Sequence, residues 1–438
     1  MRLDAFNLST STTSEEAQTA FEQAVYGLAA HRPTTGAALD AALQADPGHV
    51  AALALKGFAS LILARSELVA PAGQALIAAR RAMTSRDGGT RDERILVESL
   101  DRAVGGSFSE AARLLDDGFS ERATTFLPFK ISHALRFMLG DAAGMLSASS
   151  RVMEQWSTDT PAAGFMLGCH AFALEELGFY DAAEEVGRQA VGLEPDDAWG
   201  RHAVSHVYEM RGEAAKGINW LEHGRASWTR CNNFSFHMAW HLALLHLEQG
   251  DHDQVLRIYD DEVRPRQTDD FRDMANAVSL LWRLGQTGID VGSRWSDLAE
   301  TALSRRRDTT LVFAALHTLA ALVALGETDS VREMVEELAL KAGGTGEQAR
   351  VAADVGLPLA RIIAGLSTGR DRRSLDAILA DLPKIGGSNA QRDFFVLALA
   401  KAAGANGDRA AFSRICSVRR HLKVEDRLLG SIETHASL

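Results

Sequence analysis

One glycine returns again and again at the end of a helix-like run, and its spacing restricts what this chain can fold into. Gly140-Asp141, Gly178, Gly212-Glu213, Gly250-Asp251 and Gly326-Glu327 recur at near-regular intervals, the last interval being a doubled one with Gly288 at its midpoint. A unit of ~34 residues with short insertions accounts for this spacing. The stretch ALEELGFYDAAEEVGRQAVGLEPDD shows what one unit contains. Gly178 ends a first helix where a left-handed residue is required. Ala183 and Ala190 let a second helix approach the first closely. Pro195 cannot continue that helix and starts the next unit. Only nine prolines occur in 438 residues, and alternating Val-Ile-Thr runs are scarce, so strands have little to form from.

Gly178, Tyr180, Ala183, Ala190 and Pro195 occupy tetratricopeptide-repeat positions. The expected fold is therefore all-α, a tetratricopeptide-repeat-like helical solenoid of stacked antiparallel helix pairs. Residues 1–90 are expected to form an N-terminal helical region of degenerate repeats. Residues 91–425 form the superhelix, with a His/Trp-rich groove over roughly 160–290, and 426–438 a tail. Asp46-Pro47 marks an upstream unit boundary. Capping boxes are predicted at Thr13 to Glu16 and Thr90 to Glu93. Gly407-Asp408 follows a helix predicted over 390–403.

A net charge of −12 repels phosphate backbones, so no nucleic acid is expected as a partner. The runs Arg305-Arg306-Arg307 and Arg370-Asp371-Arg372-Arg373 are expected at solvated helix ends. MRLDAFNLST has no apolar signal core. The most apolar stretch, Leu311 to Leu325, is shorter than the ~20 residues a membrane span needs, so no membrane is expected. Cys169, Cys231 and Cys416 are odd in number with no CxxC, which reads as reduced thiols in a cytoplasmic protein. GGTRDE at Gly88 and GGTGEQ at Gly343 lack the GK[ST] ending of a phosphate loop and read as inter-helix turns. There is no GxSxG elbow. Cys169-His170 are helix neighbours pointing ~100° apart, not a nucleophile and its base.

The chemistry-bearing residues are concentrated in one window. Seven of fourteen histidines lie between His202 and His252, and four of seven tryptophans (Trp199, Trp220, Trp228 and Trp240) lie in nearly the same stretch. His202 and His206 are four apart, as are His237 and His241, so each pair shares a helix face. Counting back from Gly212 and Gly250 puts His202 level with His241, with His206 and His237 a turn to either side. Imidazoles converging from adjacent helices suit one divalent transition metal: Zn, Fe, Cu or Mn. Glu209, on the face of His206, is a candidate ligand, base or outer carboxylate that fixes an imidazole. No HExxH motif is present. The same pattern also fits histidines serving only as packing residues, or a metal-free pocket for an anion or acyl group. Trp199, Trp240, Arg272 and Asn276 are candidate ligand-binding residues, the last two following His237 and His241 by an equal interval. His246 and His170 are expected in the core and His223 and His252 at the surface or in loops, while His317 falls two units beyond the site, where only curvature of the array would bring it nearer.

The blocks FMLGCHAFALEELGFYDAAEEVGRQAVGLEPDDAWGRHAVSHVYEMRG and FSFHMAWHLALLHLEQGDHDQVLRIYDDEV, with IGGSNAQRDFF further on, resemble the tetratricopeptide repeat protein 38 family over roughly residues 90–425. His202, His206, Glu209, His237, Trp240 and His241 match the family pattern. At Asn389 many relatives are expected to carry histidine. The resemblance implies the fold far more than an activity.

Two functions fit these residues. One is an enzyme or metabolite-binding protein whose concave His/Trp-lined pocket takes a small organic ligand, with metal-assisted chemistry upon it. The other is a non-catalytic scaffold whose groove holds a peptide or partner helix. The sequence also leaves a homo-oligomer open.

Overall fold

The computed structural model describes residues 2–366, 374–424 and 428–430. The Arg370–Arg373 cluster and most of the expected C-terminal tail lie outside them. Two compact units are present. The first comprises Met1–Val204 and Gly224–Phe234, the second Ser205–His223 and Ser235–Leu438.

The first unit is a run of consecutive helix pairs: Glu15–Ala29 with Thr35–Ala45, Val50–Ile62 with Ser66–Thr84, Arg91–Val104 with Phe108–Glu121, Phe126–Leu139 with Ala142–Met153, and Ala163–Glu176 with Tyr180–Leu193. Phe21, Phe58, Leu100, Phe126 and Phe172 belong to one continuous buried core. A short ribbon pairs Arg2–Leu3 with Ser9–Thr10 and is the only β-structure among the described residues.

In the second unit the Phe271–Gln286 helix packs on Val312–Leu325, which pairs with Thr328–Ala342, and Asn389–Ala405 pairs with Arg409–Leu422. The fold class expected from the repeat is therefore observed: all-α, in stacked antiparallel pairs. Thr268, Asp269 and Asp270 precede Phe271, and Asp270 caps that helix by accepting from the Arg272 amide.

The repeat glycines account for this regularity. Gly140, Gly178, Gly212, Gly250, Gly288, Gly326 and Gly407 all have φ between 66° and 82°, a left-handed conformation that a side chain would strain. Gly106 (φ 80°) adds a further member, one repeat length before Gly140. Thr90 and Glu93 form the predicted capping box. The box at Thr13 does not form. The first helix starts one residue later than the spacing suggested, and Ser14 caps it by accepting from the Ala17 amide. Ser388 and Gln391 form a box that was not anticipated.

No helix among the described residues is long and apolar enough to cross a membrane. The three cysteines are buried and form no disulfide among the described residues. The Arg305–Arg307 run is more engaged than a solvated end. Arg305 pairs with Asp269 and Asp308, while Arg306 and Arg307 pair with Glu333.

Candidate metal centre

Three helices supply the centre: Ala198–Met210, Phe234–Gln249 and Phe271–Gln286. Within the second unit, the four-residue spacing puts His237 and His241 on one face of their helix, and both turn toward His206. His206 Nε2 is 3.0 Å from His241 Nε2, and His241 Nε2 is 3.2 Å from His237 Nε2. His206 and His241 are 0% exposed, and His237 is partly buried.

The far side of two of these rings is fixed. His241 Nδ1 lies 3.0 Å from Glu209 Oε2, and His237 Nδ1 lies 2.9 Å from Asn276 Oδ1. A carboxylate and an amide oxygen only accept, so each Nδ1 carries the proton and each Nε2 presents a lone pair. A proton on His206 Nε2 could satisfy His241, but the Nε2 lone pairs of His237 and His241 would still face each other. Doubly protonated rings are disfavoured. Burial pushes His237 and His241 well below the ordinary histidine range, His241 lowers its neighbour further, and His206, Arg283 and Lys423 act on His241 in the same direction. A cation placed among the three nitrogens would resolve the conflict. Metal–nitrogen bonds of roughly 2.0–2.1 Å at tetrahedral angles separate neighbouring nitrogens by about 3.3 Å. The observed separations are close to that.

Packing holds the rings in place. The Trp240 indole stacks on His237 (5.2 Å between centroids, 16°) and donates from Nε1 to Ser279 Oγ at 3.1 Å. The Arg283 guanidinium lies over the indole, 5.7 Å from the Trp240 ring centroid.

His202 sits one turn before His206 on the same helix and is 1% exposed. It stacks on Phe172 at 14° and packs against Trp199 and Phe234. His202 belongs to the first unit, and His206, His237 and His241 to the second, where the three converging imidazoles could hold a metal ion.

The expected register across the helices needs correction, because His206, expected a turn to one side, is in direct contact with His241. The histidines are also shut away from solvent rather than lining an open groove. Trp240 and Asn276 touch His237 directly. Trp199 instead donates to His133 Nε2 at 3.2 Å among Phe137 and Phe172. Arg272 turns back on Asp270 of its own helix cap and does not reach the histidines. His170 bonds Ser149 Oγ at 2.8 Å, and His246 is partly buried near Asp251. His223 is exposed and His252 half-buried. His317 packs among Phe313, Phe394 and Phe395, away from the centre. Asn389 accepts from Arg392 Nη2 at 2.7 Å.

Several contributors were not anticipated. Lys423, Glu248, Asp393 and Arg419 are buried or nearly so around Glu209 and Arg283. The one sequence signal for them is a charged pair, Arg392-Asp393, at the start of the otherwise apolar run FFVLALA.

No family model matches the chain. Among solved structures, one titled "Structure of Naa15/Naa10 bound to HypK-THB" is 14% identical over 96% of this chain and 65% of that chain, with a TM-score of 0.25. This chain thus spans just under two thirds of that one, and a likeness so loose has no bearing on function.

Proposed function

We propose that this protein is a tetratricopeptide-repeat-like metalloprotein of the tetratricopeptide repeat protein 38 family. In this reading His206, His237 and His241 bind one divalent transition metal through Nε2. The observation that carries it is the convergence of three Nε2 atoms at 3.0 and 3.2 Å while two of the rings have their Nδ1 protons committed elsewhere. An all-imidazole donor set suits zinc, copper or iron better than the oxygen-seeking manganese.

Glu209 acts in this reading as the outer carboxylate that orients His241, since the oxygen it would need as a ligand or base is engaged with Nδ1. A ligand position left to water would give a metal-activated nucleophile for chemistry on a small organic substrate. His237, the least buried of the three, marks the side from which that substrate would approach. A peptide-holding groove lined by these histidines finds less support, because His206 and His241 offer no surface to a peptide.

Elemental analysis of the purified chain tests the proposal. About one equivalent of zinc, copper or iron is expected, falling below a tenth in a His206→Ala, His241→Ala double variant that still folds. Metal-free protein that takes up none on dialysis against these ions would end it.

A further inference from the structure

The Arg409–Leu422 helix ends beside the helix that carries His206 and Glu209. Two contacts of the second unit tie these ends together. The Val424 amide donates to the Met210 carbonyl at 2.9 Å, satisfying a helix-terminal acceptor. Lys423, only 6% exposed, sends its ammonium between two carboxylates, 2.6 Å from Glu248 Oε1 and 3.7 Å from Glu209 Oε1. Burial works against this ammonium, but Glu248 and Glu209 outweigh it and hold Lys423 above the ordinary lysine range.

Glu209 is 3% exposed and has two oxygens with different tasks. Oε2 receives the His241 Nδ1 proton, and Oε1 faces Lys423. A carboxylate so deeply buried is costly without a counter-charge. Lys423 is a cation within ion-pair range of it. A neighbouring group balances itself. Asp393 pairs with Arg419 and Arg283, which outweigh its burial and hold its carboxyl well below the usual range.

We infer that Lys423 is a positioning residue for the metal centre. It keeps Glu209 in place against His241 Nδ1, and so keeps the His241 Nε2 lone pair aimed at the metal, although it touches no ligand itself. This inference rests on the metal reading of the histidines. A cavity of about 200 Å³ adjoins the pair, lined by Glu209, Lys423, Leu382, Val396, Val418 and Leu422. A small solute can therefore reach the place a shortened side chain would vacate.

The test is Co(II) affinity by competition with a chromogenic chelator, for the parent chain, Lys423→Ala and Lys423→Met, each with and without n-butylammonium or n-butanol. Losing an outer partner such as Glu209 from a metal ligand typically weakens binding by roughly 10–100-fold, and displacing Glu209 is how loss of Lys423 would act. A loss of that size is expected in both variants, with n-butylammonium restoring at least a third of it in Lys423→Ala and n-butanol restoring none. Lys423→Met keeps the aliphatic stem and decides the matter if the alanine variant does not fold. Parental affinity in a folded variant, or equal recovery with n-butanol, would show that Lys423 only fills space and would overturn the inference while leaving the histidine centre intact. A parent chain that binds no Co(II) would remove the centre, and this inference with it.

Discussion

Two histidine neighbourhoods, one in each unit, are built on opposite rules. In the first unit His31, His133 and His202 are set among aromatic rings. His31 stacks on Phe234 at 4.3 Å, His133 accepts the Trp199 indole N–H, and His202 stacks on Phe172. In the second unit His206, His237 and His241 point their Nε2 atoms at one another, with acceptors behind two of them. Burial is similar in both, so burial does not separate a packing histidine from a ligand. What separates them is where the lone pairs point. A ring stacked on aromatic carbon, or taking an N–H from a neighbour, is held in place by that contact. Where acceptors hold the Nδ1 protons and the lone pairs converge, a positive charge fits between them.

The largest effect that sharpens this contrast comes from removing one histidine on each side. His241→Ala should weaken metal binding by more than ~100-fold, beyond what outer-sphere changes produce. His133→Phe should leave metal content unchanged and register only as lost stability, because the Trp199 N–H loses its acceptor. Metal titration followed by thermal melting of both variants checks this, and a metal loss in His133→Phe would erase the distinction.

Next in size is metal removal itself. Metal at about 100 times its Kd stabilises the folded state by ~2.7 kcal/mol. For a unit of roughly 200 residues that corresponds to about 5–10 °C in Tm. Calorimetry before and after a chelator should show the second unit's transition moving down by that amount, with the first unit's transition unmoved. Equal shifts in both transitions would mean the chelator acts elsewhere.

A comparable but metal-independent effect is expected in acid. Burial pushes His49 of the first unit and His317 of the second down to about 4. Their folded values lie below the unfolded one of ~6.5, so the unfolded chain gains protons first as pH falls. The stability they contribute is complete above pH ~6.5 and drains away toward pH 4, up to about 3 kcal/mol for His317. His317→Phe, surrounded by Phe313, Phe394 and Phe395, should flatten that part of the stability–pH curve in denaturant titrations of metal-free protein. An unchanged slope between pH 6.5 and 4 would contradict the assignment.

The fold was legible because helix punctuation is local. A left-handed glycine closing each repeat and alanines where helices touch are visible without knowing what lies across the groove. The i, i+4 histidine pairs were legible for the same reason. Their cross-helix register was not. Counting back from Gly212 and Gly250 assumes helices of equal length, but Ala198–Met210 has 13 residues and Phe234–Gln249 has 16, with the Arg225–Trp228 turn of helix inserted between them. His206 lies six positions before its glycine and His241 nine before its own. Three residues are ~4.5 Å of rise, enough to bring His206 opposite His241. Asn276 is legible from its spacing after His241. Arg272 shares that spacing after His237 but has Asp270 two positions away, a nearer partner than any histidine. Lys423 is far from Glu248 in the chain, and no local pattern announces a contact of that range.

The smallest effect expected is at the His237 support. Asn276→Ala leaves the His237 Nδ1 proton without its acceptor and should weaken metal binding by about tenfold, the lower end for an outer partner. Ser279→Ala removes the Trp240 hydrogen bond and the one the hydroxyl donates to the Asn276 carbonyl, and should cost roughly 1–2 kcal/mol of stability with little change in metal affinity. Chelator competition and urea unfolding separate the two.

X-ray absorption at the edge of the bound metal tests the central claim most directly. The account predicts a shell of three or four imidazole nitrogens at about 2.0–2.1 Å, with the outer-ring scattering that imidazoles give and no sulfur. A shell dominated by carboxylate oxygen or thiolate, or one unchanged in the His206→Ala, His241→Ala variant, would contradict it.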